Sequence, residues 1–193
     1  MLGLKSTTDP QWAKIVEENL EVFLTDHAFA EQKAASGGFS LIIAYSEETE
    51  LVKILSAYTI EETEHFKLVH DFMISRGITL GRDRRSDYVA HLLKFFQKTK
   101  DRTESLVNRC LIAAIIEARS CERFKTLADH TSDKELAQFY NDLIASEAGH
   151  YTQFIKIARK YQPKEFVAKK WDEFLTYEAA YMNTQGKLPL VHG

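Results

Sequence analysis

Four glutamates and two histidines stand where a chain of this composition should be apolar. Glu62-x-x-His65 and Glu147-x-x-His150 are two copies of one pair, and side chains three apart on a helix project toward a common point. At alternating steps of four and three, the first pair interrupts the series Leu51, Leu55, Tyr58, Val69, Phe72. The second interrupts Leu136, Tyr140, Leu143, Phe154, Ile157. Glu31 sits in the same way among Leu20, Leu24, His27 and Ala34, and Glu117 among Leu106, Cys110, Ala113, Cys121 and Phe124. Glu31 precedes Glu62 by 31 residues, and Glu117 precedes Glu147 by 30. Such a seam faces an interior, where an uncompensated carboxylate or imidazole is costly. Metal is the partner that suits them all. Two divalent cations bring the positive charge that four carboxylates neutralise, and a set of oxygen and nitrogen donors without cysteine suits iron or manganese rather than structural zinc or a cluster.

A single Glu-x-x-His is usually solvated helix surface, which is the expectation for Glu61, Glu64 and His70. Two copies on apolar seams, each preceded by another seam glutamate about thirty residues earlier, are a different matter. Other polar groups on the seams read as ordinary interior residues. His27, one turn before Glu31, is expected to be a satisfied core histidine rather than an extra ligand or a hydrogen-bonding partner of a ligand, Tyr58 and Tyr140 to be core packing, and Cys121 a small buried filler. The alanines around Glu31 and Glu117 leave room for metal and O2, but close helix packing explains them equally well.

Helices must position these groups. Gly 8 and Pro 3 in 193 residues are too few chain breakers for the many turns of an all-β protein. Thr8-Asp9-Pro10 reads as a helix start, followed by helical periodicity to Ala35 that Gly37-Gly38 interrupts. Phe39 to Tyr45 fits a strand or a buried helical turn. Ser46 reads as the cap of a second long helix ending near Arg76-Gly77. Ser86 starts a shorter one to about Lys98, and Thr103 opens a third long helix to His130. Ser132-Asp133-Lys134-Glu135 has the form of a capping box before the fourth, and Pro163 starts a fifth to about Met182. Long helix, connection, long helix occurs twice, in 9–76 and 103–161. The expectation is an all-α chain, residues 1–193 forming a single ferritin-like domain: a four-helix bundle with accessory helices, whose four inward faces carry the two-metal ligand set.

The rest of the composition bounds the surroundings. Lys+Arg 25 against Asp+Glu 28 gives a net charge of −3, which excludes a strongly basic, histone-like binder. Cys110 and Cys121 on one helix would be about 16 Å apart, too far for a disulfide, so a reducing, cytoplasmic setting is expected. No signal peptide is visible, and the longest apolar run, Leu111 to Ile116, is too short to span a bilayer. Basic residues nevertheless cluster locally at Arg82, Arg84, Arg85, Lys94, Lys98, Lys100 and Arg102, and again from Lys156 to Lys170; such runs are most often solvated faces. Spacing alone leaves redox chemistry with O2 or peroxide, a catalase-like manganese enzyme, and an iron-handling or peroxide-removing protein open.

Five stretches carry a resemblance: Leu24-Thr25-Asp26-His27-Ala28, Glu31-Gln32-Lys33-Ala34-Ala35-Ser36, Glu61-Glu62-Thr63-Glu64-His65-Phe66, Ile116 through Phe124, and Ser146-Glu147-Ala148-Gly149-His150-Tyr151. Together with the Gly81-Arg82 connection and the terminal His192-Gly193, they resemble the tRNA-(2-methylthio-isopentenyladenosine) hydroxylase family over nearly the whole chain. The resemblance implies a ferritin-like, non-haem di-iron monooxygenase that hydroxylates the isopentenyl side chain of a modified adenosine next to the tRNA anticodon. Carried over, Glu31, Glu62, His65, Glu117, Glu147 and His150 become ligands of two iron ions, with O2 as co-substrate. Each turnover would draw two electrons from outside. No Gly-x-Gly-x-x-Gly fingerprint or set of cluster cysteines is present, so a separate reductase or ferredoxin-like donor is an implied partner. On the same reading Arg82, Arg84, Arg85, Lys94 and Lys98 would hold the tRNA backbone.

Overall fold

The computed structural model describes residues 2–185 and 187–192; Met1 and the Gly193 of the terminal His-Gly pair lie outside the described residues. Seven helices and no strand occur among them: α1 (Trp12–Glu18), α2 (Leu20–Ala44), α3 (Thr49–Ser75), α4 (Asp87–Leu92), α5 (Arg102–His130), α6 (Lys134–Tyr161) and α7 (Lys164–Gln185). The class is all-α, with two long helical hairpins of the kind that build a ferritin-like four-helix bundle. The chain divides into two compact units, Asn19–Arg85 and Met1–Glu18 with Ser86–Gly193.

In the Asn19–Arg85 unit, α2 packs along α3. The helix start expected at Thr8-Asp9-Pro10 yields only the seven residues of α1, and the chain breaks at Asn19 (φ −133°, ψ 35°) before α2 begins. The glycines do not interrupt α2, which runs through Gly37-Gly38 and on to Ala44. A Cβ at Gly38 would lie 2.3 Å from Thr59 Oγ1 and 3.2 Å from Tyr58 Cδ1, whereas nothing stands within 4 Å of one at Gly37. Gly38 is therefore the point of close approach between α2 and α3, and this outweighs its poor helix propensity. Leu41 and Tyr45 are buried while Phe39 and Ile43 lie on the exposed side, so the apolar run is not a strand but helix, buried on one face only. α3 begins three residues after Ser46, with Glu48 at its N-cap. It ends as expected: Gly77 takes φ +68°, its N–H bonds Ile74 O, and Ile78 N–H bonds Met73 O. This paired closure satisfies carbonyls that the last turn leaves open.

In the other unit α5 packs along α6, and α1 along α5. Asp101 and Asp133 cap α5 and α6 by accepting from Glu104 N and Leu136 N. Ser132 does not act in a capping box; its N–H and hydroxyl donate to Glu17 on α1, as does the Thr131 hydroxyl. Those bonds, led by Thr131, hold the Glu17 carboxyl below its usual range. Ser86 caps α4 through Val89 N, but that helix stops at Leu92 rather than near Lys98.

The middle of α5 is buried on every side, and its polar groups there are tied up with one another. Arg119 donates to both oxygens of Glu178 on α7 (2.8 and 2.9 Å) and to Glu122 (2.8 Å). Glu122 also accepts from the backbone N–H and the hydroxyl of Thr8, and the Tyr88 hydroxyl donates to Glu178. Arg123 lies 4.3 Å over the Trp12 ring, and the Trp12 indole N–H donates to Leu188 O in the tail. His192 stacks on Tyr88 and meets Ser120 at 3.0 Å. Both chain ends of this unit thus close on one turn of α5.

Candidate metal centre

The seam residues predicted to carry chemistry are buried in both units. In the Asn19–Arg85 unit, α2 supplies Glu31 and α3 supplies Glu62 and His65, with 5%, 0% and 5% exposure. The i, i+3 spacing places His65 one turn above Glu62 on the α3 face that meets α2. His65 Nδ1 lies 3.9 Å from Glu31 Oε2 and 3.8 Å from Glu62 Oε2. Those separations exceed a direct hydrogen bond, but suit two donors that each reach one cation over about 2.0–2.2 Å.

The other unit repeats the arrangement. α5 supplies Glu117, and α6 supplies Glu147 and His150. One ligand atom from each falls within 4.8 Å of the others, and all three residues are buried. Oxygen and imidazole donors of this kind, three to a half-site, fit a divalent iron-type cation. No cysteine falls among the donor groups found in the described residues; burial pushes the Cys110 thiol up to about 12 and Cys121 up to about 11, and Cys121 Sγ points to Ile144 O at 3.7 Å. Tyr140 packs on Phe124 and Phe139 and Tyr58 underlies Gly38, both as core residues.

The basic residues fall elsewhere. Arg82, Arg84 and Arg85 are exposed in the connection after α3, and Lys94 and Lys98 are exposed beyond α4. The Arg82–Arg85 connection is moored to α2. Gly81 N–H reaches Thr25 Oγ1, while Lys33 pairs with Asp83 and donates to Arg84 O. Thr25 and Lys33 bracket Glu31 along α2, so the three arginines are carried beside the helix segment that bears that donor. Asp83, the one acid in 77–86, is engaged by Lys33, which leaves the segment strongly cationic.

Two features go beyond what the sequence settles. Lys33 as a mooring for the basic connection left no trace in it, since its partner is 50 residues away. The other is His27, which is fully buried and pairs with Glu31 (Nε2 to Oε1, 2.6 Å). It is a satisfied interior histidine as expected, but the group that satisfies it is a seam glutamate. Its signal was local: a histidine four residues before a glutamate on one helix face.

The chain as a whole is similar to known proteins. The family model described as "tRNA-(MS[2]IO[6]A)-hydroxylase (MiaE)" matches residues 2–193. The chain is 35% identical over 162 residues to the tRNA 2-(methylsulfanyl)-N(6)-isopentenyladenosine(37) hydroxylase of Pseudomonas putida, a match that spans 84% of this chain and 78% of that protein. It is also 35% identical over 109 residues to the protein of the same name from Salmonella typhimurium, 56% of this chain and 39% of that one. Among solved structures, "Protein 43 with aldehyde deformylating oxygenase activity" from Synechococcus superposes with a TM-score of 0.90 at 29% identity, over 98% of this chain and 95% of that chain.

Proposed function

The chain belongs to the tRNA-(MS[2]IO[6]A)-hydroxylase family, and from that premise we propose that it is an O2-dependent di-iron monooxygenase acting on modified tRNA. Its substrate on this reading is 2-methylthio-N6-isopentenyladenosine next to the anticodon, hydroxylated on the isopentenyl side chain. The observation that carries the proposal is the repeated half-site, Glu31 with Glu62-x-x-His65 and Glu117 with Glu147-x-x-His150, buried within a chain that matches the family along its length.

The six donors would hold two iron ions, three from each unit, so that residues 1–193 act as one domain. Bound iron supplies the two-electron reduction of O2 that no side chain can perform, one oxygen atom entering a C–H bond and the other leaving as water with two protons. The remaining work falls to the chain. The four carboxylates offset the charge of two divalent cations, and their burial gives a site from which bulk water is held away. The two imidazoles, each one turn from a carboxylate, fix the donor geometry from α3 and α6. Neither thiol competes as a ligand. The two electrons would come from a separate protein donor, consistent with the lack of any cofactor-binding fingerprint or cluster cysteines in the sequence.

Arg82, Arg84 and Arg85 would bind the tRNA backbone, with Lys94 and Lys98 as further phosphate contacts. The mooring of the arginine segment at Thr25 and Lys33 supports this reading, because it brings cationic side chains to the α2 segment that carries Glu31. Exposed, solvated arginines held by their own backbone need little reorganisation to meet phosphate.

Two measurements test the proposal. Anaerobic reconstitution should load two ferrous ions per chain, and one reduced equivalent plus O2 should convert the modified adenosine in tRNA to its hydroxylated form. Nucleoside analysis of tRNA from cells with and without the gene should show that product only in the former. Iron uptake without any change in tRNA would instead favour an iron-handling or peroxide-removing role.

A further inference from the structure

We infer that His27 is a positioning residue that commits one oxygen of Glu31 to the protein and presents the other to metal. The inference rests on the reading above that Glu31 is a ligand. His27 has no exposed surface, and its Nε2 stands 2.6 Å from Glu31 Oε1. A ligating carboxylate can only accept, so Nε2 carries the hydrogen and donates it. The imidazole is braced by Phe23, whose ring is tilted 33° to it at 6.3 Å, one turn earlier on α2. Oε1 is therefore drawn back along α2 toward His27, while Oε2 is the oxygen that lies 3.9 Å from His65 Nδ1. One carboxylate thus has its two oxygens assigned to two tasks before any metal arrives.

The duplicated half-site has no donor at the equivalent position. Ala113 stands four residues before Glu117, where His27 stands before Glu31, and a methyl group cannot donate. The two metal positions are accordingly inequivalent: Glu31 is held as a single-oxygen ligand by a buried hydrogen bond that its counterpart helix cannot supply from the same place.

The test compares His27→Gln, which keeps an N–H able to reach Oε1, with His27→Leu, which has similar bulk and no donor. Full-length unaltered protein and both variants are titrated anaerobically with Fe(II), and separately with Co(II), whose visible absorption reports its ligand field. The unaltered protein should take up two equivalents. His27→Leu should bind one of them about 10- to 100-fold more weakly, the range for losing an outer partner of a ligand, with a changed Co(II) band for that equivalent alone. His27→Gln should recover most of the affinity and the band. Equal behaviour of the two variants, whether both match the unaltered protein or both fail, would overturn the inference, since only the hydrogen bond distinguishes them. An unaltered protein that takes up no metal would instead bring down the functional reading on which the inference stands.

Discussion

Alanine at Gly37 and alanine at Gly38 should change stability in opposite directions, although the two glycines are adjacent in one helix. At Gly37 the new methyl meets nothing within 4 Å, so the variant gains about 0.5–1 kcal/mol from helix propensity and a less flexible unfolded chain. At Gly38 the methyl would stand 2.3 Å from Thr59 Oγ1 and 3.2 Å from Tyr58 Cδ1, the first far inside ordinary van der Waals separation. Thr59 is 2% exposed and donates to Leu55 O at 2.8 Å. Turning it aside breaks a buried hydrogen bond, about 1–3 kcal/mol, and parting the helices instead costs about the same through overpacking. Set against the propensity gain of about 0.5–1 kcal/mol, Gly38→Ala should destabilise by a net of up to about 2.5 kcal/mol. Urea melts of both variants measure this directly. Adding Thr59→Ala should remove most of the cost of Gly38→Ala, because the atom in the way is gone. If both alanines shift the midpoint in the same direction, or Thr59→Ala leaves the Gly38 effect intact, the close approach of α2 and α3 does not explain the glycine.

Three further outcomes follow from the same reasoning. Glu178→Ala takes two of three carboxylate bonds from Arg119, which has no exposed surface and keeps only its bond to Glu122, and should cost about 3 kcal/mol, the low end for breaking a buried pair; Arg119→Met with Glu178→Leu should cost less than the single change, since Glu122 keeps its two bonds from Thr8, and denaturant melts would reveal a failure of that ordering. The depressed Glu17 carboxyl stabilises the fold above the ordinary carboxylate value of 4.5 and loses that contribution as pH falls through its lower folded value, so the melting temperature of Glu17→Gln should be less sensitive to acid than that of the unaltered protein between about pH 3 and 5. Replacing Arg82, Arg84 and Arg85 with glutamine should weaken tRNA binding and reduce the slope of log K against log salt by about 0.7–0.9 for each phosphate no longer neutralised; an unchanged slope would remove the segment from the binding surface.

The six buried seam residues were legible because each violates its local pattern: a glutamate or histidine at an apolar step is conspicuous in one dimension, and repetition in the second half of the chain makes it more so. The four long helices followed from the same periodicity, and the Gly77 terminus from glycine's access to positive φ. What escaped was decided by partners distant in sequence. The chain breaks at Asn19 without proline, glycine or a capping side chain, at the passage from one compact unit to the other. Gly38 read as punctuation because the Thr59 that requires it lies on the next helix. Ser132 matched a capping motif, but Glu17, 115 residues earlier, takes its hydrogen bonds. The Arg119–Glu178 pair spans 59 residues, and nothing local marks two charged residues as the partners that make each other's burial tolerable.

That last pair bears on the candidate metal site through the rotation of α5. Residues 117–124 of this helix are buried on every face, and a helix packed all round has no strong preference for one rotation over another. At about 100° per residue, Arg119, Glu122 and Arg123 lie on the side of α5 away from Glu117. Their partners, Glu178, Thr8 and the Trp12 ring, come from α7, the N-terminal segment and α1. Turning α5 by a single residue would cost little in hydrophobic area but would tear a bidentate guanidinium from its carboxylate in a dry interior. Buried ion pairs add little net stability compared with apolar packing; here their use is directional. They fix which face of α5 is its back, and so which face presents Glu117 to Glu147 and His150. On α2 the same end is reached with less, a single histidine one turn from its glutamate, because the outer face of that helix is exposed and the hydrophobic effect already sets its rotation.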